Sequence, residues 1–305
     1  MHLPDVNDAL PVSRLTRIRS NAWIQAIRPH QWSKAVLVTT ASFAALRFSA
    51  LILLQLCAAV ALACMAASGT YLLNDAIDAP VDRLHPVKRL RPIADGRISR
   101  SAAVAVAAVL LSLAPVLGLL VNRGAGFTLA IYVVLTVAYS TKLKQIPIVD
   151  IATIAAGFVV RVLIGATATH TTVSVWFLMA VGAGSVMVAA GKRRGEVHEL
   201  GGDAVAHRKA LATYRDAVTS RLLAGSAGIL FISLVTWASI GKGGPHLEEI
   251  WAAIVVLTAT LAIARYMQIA IGGGASRPER LIRDRILQLT ALATLTVFLL
   301  GSLVS

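Results

Sequence analysis

The sequence predicts an all-α integral membrane protein, a bundle of about nine transmembrane helices with its active site at the cytoplasmic face. Three observations predict it. Of the 305 residues 57% are hydrophobic and 14% charged, and the mean hydropathy of +0.73 lies well above that of a soluble domain. Apolar runs close to the roughly 20 residues needed to cross a bilayer recur along the chain. The basic residues also gather in alternate connections, as they do when Lys and Arg of short loops stay on the cytoplasmic side.

Residues 1–20 read as a flexible basic arm and 21–305 as one helical membrane domain, since no Pro/Gly/Ser-rich linker, low-complexity run or repeat divides it. No convincing cleavage site is present and many crossings follow, so no removable signal peptide is expected. Residues 21–33, "NAWIQAIRPHQWS", set Trp23, Ile24, Ile27 and Trp32 among polar positions, which suits a short amphipathic segment in the membrane interface. Crossings are then expected at 34–48, 51–73, 101–121, 125–141, 146–169, 173–191, 220–241, 248–271 and 286–304, the first being the shortest.

With a cytoplasmic N-terminus, the arm and the alternate loops hold 24 of the 29 Lys and Arg residues. Arg47, Arg123 and Lys242 fall in the opposite loops, and Arg161 and Arg265 within crossings, Arg265 without an evident role. The C-terminus is expected outside. The net charge of +14 is thus an asymmetry between faces that also attracts anionic headgroups. Nucleic acid is not an expected partner, because no single accessible basic stripe forms. Cys57 and Cys64 read as small apolar packers, and His85, His198 and His207 as loop residues without metal-ligand spacing.

The densest chemistry lies in "YLLNDAIDAPVDRLHPVKRLRP", residues 71–92. Asn74, Asp75, Asp78 and Asp82 spell N-D-x-x-D-x-x-x-D at the end of the second crossing, and on a helix these offsets bring the three carboxylates to one face. Adjacent anions repel unless something positive binds there. Mg2+ suits them, since it is held by one or two carboxylates together with a substrate's phosphates. Solvated aspartates paired with Arg83 and Lys88 are the plain alternative, and Pro80 complicates a straight helix. Lys88, Arg89 and Arg91 follow at once and offer charge-assisted bonds to phosphate oxygens, so metal and basic side chains together suggest a diphosphate site. Asp150 and Arg161, eleven apart on the fifth crossing, share a helix face and read either as functional intramembrane charges or as a salt bridge to another helix. Tyr139 reads as a hydrogen-bond donor to a phosphate or as an interfacial tyrosine.

These features resemble the UbiA superfamily of intramembrane prenyltransferases, nine-helix bundles in which an N-D-x-x-D-x-x-x-D motif binds Mg2+ and a diphosphate. The likeness includes "IRPHQWSKAVLV", "NDAIDAPVD" and "AYSTKLKQIPIVDI", with Ala35 standing where the family pattern has Asn. The prenyl-transferring members carry a second aspartate-rich motif between the sixth and seventh crossings. Here "GKRRGEVHELGGD" stands instead, with Lys192, Arg193 and Arg194 leading to Glu196. That swap, with "HPVKRLRPIADG" and "RPERLIRDRILQL", resembles the branch containing decaprenyl-phosphate phosphoribosyltransferase.

The resemblance implies Mg2+-dependent transfer of 5-phosphoribose from phosphoribosyl diphosphate to a polyprenyl (decaprenyl) phosphate in the bacterial cytoplasmic (inner) membrane. Asp75, Asp78 and Asp82 would hold the metal. Asp75, Asp78, Lys144 and Lys192 would be catalytic, and Asn74, Lys34, Lys88, Arg89, Arg91, Tyr139, Arg161, Arg193 and Glu196 would bind substrate. Glu196 reads as a second metal ligand, the role the resemblance favours, or as a partner of Lys192 one turn earlier. Prenyl transfer to an aromatic or tetrapyrrole acceptor is the nearest alternative, and a transporter the alternative of another class. Oligomeric state, lipid length and the number of metal ions stay open.

Overall fold

The computed structural model describes residues 21–200, 213–240, 248–276, 281 and 283–304, and every regular element among them is helical. The expected arm at 1–20 and His207 lie outside the described residues. The chain opens with α1 (Ala22–Ile27), a 3-10 segment (Pro29–Val38) and α2 (Thr40–Ala44). Eight long helices follow: α3 (Ala50–Asp82), α4 (Arg100–Val121), α5 (Arg123–Thr141), α6 (Val149–Ala168), α7 (Val175–Leu200), α8 (Asp216–Ile240), α9 (Glu249–Ile271) and α10 (Arg285–Val304). Each is long and apolar enough to cross a membrane.

Consecutive long helices pack side by side, and α3 also meets α5 and α6. Small side chains allow the close approach. Ala59, Ala63 and Ala66 of α3 sit at helical spacing and pack with Ala114 of α4 and Ala125 of α5, the kind of interface that holds helices together where lipid competes for apolar contact. Caps set the starts: Ser49 accepts from the Ile52 N–H, Ser99 from Ala102, and Asn122 from Ala125. The Asn122 amide also donates to the Thr167 and Ala168 carbonyls, tying the start of α5 to the end of α6.

The segment expected at 34–48 as a crossing has a different form. It is the 3-10 run Pro29–Val38 followed by the five-residue α2, packed along α3 and α6. Arg28 before it bonds Asp75 at one end of the bundle, and Arg47 after it donates to the His170 carbonyl just past the other end of α6. A 3-10 helix rises about 2 Å per residue against about 1.5 Å for an α-helix, so so few residues still run the length of the bundle. Gly165 of α6 makes room: a Cβ there would stand only 1.6 Å from the Val38 carbonyl oxygen.

The acidic motif forms the last turns of α3. At 33 residues this helix is about 50 Å long, well beyond the roughly 30 Å hydrocarbon core, so its final turns project past the membrane span. Pro80 lies inside it. Proline leaves the carbonyl four residues back without its helical donor. Arg100 donates its Nε to that Ala76 carbonyl at 3.0 Å, so the helix continues through the proline to Asp82. The helix α7 likewise runs on through "GKRRGEVHEL", which places Lys192 to Glu196 on a helix at the same end of the bundle.

Candidate active site

The aspartates of α3 divide between two sets of cations. Seven residues apart, Asp75 and Asp82 share one face, and both are nearly inaccessible. Arg28 reaches both oxygens of Asp75 at 2.7 Å, and Arg91 binds Asp75 at 3.2 Å and Asp82 at 2.6 Å. Arg91 is brought there by the 3-10 turn Lys88–Leu90, whose own Lys88 and Arg89 are exposed and make no ion pair among the described residues. Asp78, rotated about 60° from Asp75, meets Lys144 at 2.6 Å. Asn74 completes that side: its amide donates to Asp78 at 3.0 Å and its oxygen accepts from Lys144 at 3.0 Å. Arg83, a partner of the aspartates only in the plain alternative, donates to the Ala94 carbonyl.

A second cluster joins α6, α7 and the start of α8. Asp150, fully buried, accepts from Arg193 Nε at 3.0 Å and from the Tyr214 hydroxyl, which itself accepts the Ile148 N–H at 2.7 Å. Burial, then the bond to Asp150, pushes the Tyr214 hydroxyl above its ordinary range, so it stays a proton donor. Arg193 continues the chain to Glu196 at 2.6 Å, with Lys192 on the other oxygen at 3.9 Å. Asp150 makes a salt bridge to another helix, one of its two readings, with Arg193 of α7 as the partner. Glu196 is paired with cations, as one of its readings had it. Arg194 points away, binding the Ile271 carbonyl, Thr219 and Ser220, and so clamps α7 to α8 and α9. Tyr214 was missed in the sequence, where a lone tyrosine in a polar connection carries no local pattern.

The 3-10 segment that carries Lys34 packs along α3 and α6. Lys34 is accessible to solvent yet closely surrounded by protein, and Arg161, Lys192 and Arg28 are its electrostatic neighbours. Arg161 donates to the Tyr132 hydroxyl at 2.7 Å and to the Gly157 carbonyl, with its guanidinium over the rings of Tyr132 and Phe158. Arg28 lies over the Tyr71 ring at 5.3 Å. Tyr139 of α5 stands in the field of Arg193. Arg265 belongs to neither cluster; it pairs with Asp284 at 2.6 Å ahead of α10, which explains its presence in a crossing. His85 is a turn residue whose Nδ1 accepts the N–H groups of Val87 and Lys88.

The model of the UbiA prenyltransferase family matches residues 35–303. The chain belongs to that family. Among its relatives, a decaprenyl-phosphate phosphoribosyltransferase of Mycolicibacterium smegmatis is 32% identical across 88% of this chain and 89% of its own. One of the same description from Mycobacterium tuberculosis is 34% identical across 88% and 90%. A solved UbiA homologue from Archaeoglobus fulgidus bound to GPP and Mg2+ covers 92% of this chain and 98% of its own at a TM-score of 0.70 and 16% identity, a likeness of fold. The protein is accordingly an integral membrane transferase of the UbiA family.

Within that family frame the donor set suits a hard divalent cation. All of Asn74, Asp75, Asp78 and Asp82 offer oxygen. Among the described residues no three His, Cys, Asp or Glu side chains converge on one point, so these residues form no closed cage. Mg2+ does not require one, because it keeps positions for substrate phosphate oxygens. Asp75, Asp78 and Asp82 are the residues that would hold it. Arg28, Arg91 and Lys144 neutralise the same carboxylates. The family's acidic second motif is here a basic cluster organised by a buried carboxylate.

Proposed function

We propose that this UbiA enzyme transfers 5-phosphoribose from phosphoribosyl diphosphate to a polyprenyl phosphate such as decaprenyl phosphate, releasing diphosphate. The observation that carries the reading is the second cluster, where α7 supplies Lys192 and Arg193 in place of acidic residues, with Lys192 among the electrostatic neighbours of Lys34. A reaction that gathers a diphosphate, a 5-phosphate and a lipid phosphate needs cations beyond those of the aspartate motif, whereas prenyl transfer to an uncharged acceptor handles one diphosphate. The names of the relatives agree with it.

Mg2+ on Asp75, Asp78 and Asp82, when bound, would supply neutralising charge to the departing diphosphate. Lys144 and Arg91, beside those aspartates, bind and orient the diphosphate, with Asn74 holding Lys144 in place. Lys192, Arg193 and Tyr139 receive the 5-phosphate, and Glu196 keeps the two cations aligned. The bond from ribose C1 to the diphosphate oxygen breaks, and an oxygen of the lipid phosphate bonds to C1. That oxygen is already ionised near neutral pH, so no general base is required; positioning and electrostatic stabilisation supply the catalysis. The clustering of basic residues supports a site at the cytoplasmic face of a bacterial inner membrane, with the donor entering from the cytoplasm.

The test is transfer of labelled phosphoribose from phosphoribosyl diphosphate to polyprenyl phosphate by purified protein, with and without Mg2+, beside consumption of prenyl diphosphates with aromatic acceptors. Mg2+-dependent labelled lipid is the expected result. Consumption of the prenyl donor alone would replace this reading with prenyl transfer.

A further inference from the structure

The connection after α3 turns its first apolar side chains outward. Leu84, Val87 and Leu90 are 87%, 70% and 68% exposed, whereas Ile93 and Ile98, a few residues on, are buried in the core. The Leu90 N–H donates to the Val87 carbonyl, and side chains three apart on such a 3-10 turn lie one above the other. Val81 and Leu84 are joined by the same kind of bond. On α3 itself Ile77 and Val81, four apart and exposed, are turned away from the buried Asp75 and Asp82. The apolar surface of the helix thus continues onto the turn. Lys88 and Arg89 stand within it, exposed, and their side chains make no ion pair or hydrogen bond among the described residues. The turn is also firmly held. His85 Nδ1 accepts the Val87 and Lys88 N–H groups, and Arg97 donates to the Leu90 carbonyl at 3.1 Å.

The contact of Arg100 with the Ala76 carbonyl sets the height of this patch. It brings the first turn of α4 near the level of Ala76, and six further residues carry α3 about 9 Å beyond that level to Asp82. The headgroup layer on each side of a roughly 30 Å hydrocarbon core is about 5–8 Å deep. The turn therefore lies at the depth of the headgroups. Large apolar side chains are costly there if they face water alone, and favourable if they enter the boundary between headgroups and acyl chains.

We propose that Leu84, Val87 and Leu90, together with Lys88 and Arg89, form a docking surface for anionic phospholipid in the leaflet at the aspartate end of the bundle. Charge complementarity selects the occupant. The three apolar side chains call for acyl matter and the two unpaired cations for phosphate, and an anionic lipid interface offers both at this height. A soluble sugar diphosphate would satisfy the cations alone. Docking reaches the acidic motif through the chain itself, since Leu90 is followed by Arg91, which spans Asp75 and Asp82. Lipid bound here is independent of which group the enzyme transfers.

The experiment places an environment-sensitive fluorophore on the full-length protein at Val87→Cys, and separately at Leu84→Cys, in a Cys57→Ala, Cys64→Ala background, with thermal melts to confirm folding. The protein is reconstituted in nanodiscs of phosphatidylcholine with or without phosphatidylglycerol, and quenching is read with aqueous iodide and with a headgroup nitroxide lipid. Each Lys or Arg near an anionic surface strengthens association about 5-fold. Phosphatidylglycerol should therefore lower iodide quenching at both sites at least about 3-fold and raise nitroxide quenching. The double change Lys88→Gln, Arg89→Gln should remove that dependence on phosphatidylglycerol. A label equally open to iodide in both lipids would overturn the docking surface, and equal shielding in both lipids would overturn its preference for anions. Shielding by added phosphoribosyl diphosphate in place of phosphatidylglycerol would assign Lys88 and Arg89 to a soluble ligand and overturn the lipid reading. None of these readouts needs turnover, so a lipid-dependent label on a protein that makes no phosphoribosyl lipid would leave the docking surface standing and remove only the proposed reaction.

Discussion

Arg91 bridges Asp75 and Asp82, with one nitrogen 3.2 Å from the first carboxylate and 2.6 Å from the second. The two acids lie seven residues apart on α3 and the arginine comes from the turn that follows it. One guanidinium therefore fixes the spacing of two carboxylates that would otherwise repel.

Removing an acid should break the chemistry and leave the fold. Asp75→Ala and Asp78→Ala are each expected to lower turnover at least about 100-fold, since both the held charge and the orientation of the diphosphate are lost. Phosphoribosyl transfer by purified variants checks it, with gel filtration in detergent as the folding control. Normal turnover in either would remove the metal-site reading.

The buried pair of Asp150 and Arg193 should behave as a unit. Arg193→Ala leaves a buried carboxylate without its cation and is expected to cost about 3–5 kcal/mol, whereas replacing both with apolar residues of similar volume should cost far less. Denaturation of the two singles and the double measures the difference. Equal destabilisation in the double and in Arg193→Ala would contradict it.

Tyr214→Phe removes the donor to Asp150 and the acceptor for the Ile148 N–H together, at an expected cost of about 1–3 kcal/mol. A lowered melting temperature in detergent is the readout. An unchanged melt would mean that water replaces the hydroxyl at no cost.

Gly165→Ala should displace the 3-10 segment, because the new methyl would meet the Val38 carbonyl and neither backbone can yield freely. A loss of about 1–3 kcal/mol or more is expected, with reduced activity because Lys34 rides on that segment. Wild-type melting and kinetics in this variant would show that the passage tolerates a wider separation.

Asp284 carries a pH signature. The hydrogen bond from Arg265 holds its carboxyl below the usual carboxylate range. The stabilisation is therefore complete above the ordinary carboxylate pKa and is lost as pH falls through the depressed folded value. Melting temperature followed from neutral pH down to about pH 3 should fall further in the parent protein than in Asp284→Asn. Parallel curves would sink this account.

Much of the molecule was legible from local pattern. The long apolar helices announce themselves by composition, and the motif from Asn74 to Asp82 by its helical spacing. The chain from Pro29 to Ala44 was harder to read, since a 3-10 run reveals itself only through the close approach that Gly165 permits. The partners in the second cluster were not legible at all. Helical phase put Asp150 on a face but could not name its partners, since Arg193 is 43 residues away and Tyr214 is 64 away.

The sequence by itself determined a membrane bundle, the face its charges favour, and an acidic motif followed by cations. Those properties follow from hydropathy and helical periodicity, which act over a few turns of one chain segment. Tertiary structure alone decided that Arg91 joins Asp75 to Asp82, that Asp78 goes to Lys144, and that Arg265 closes on Asp284. Periodicity says which way a side chain points; only the packing of one helix against another says what it meets.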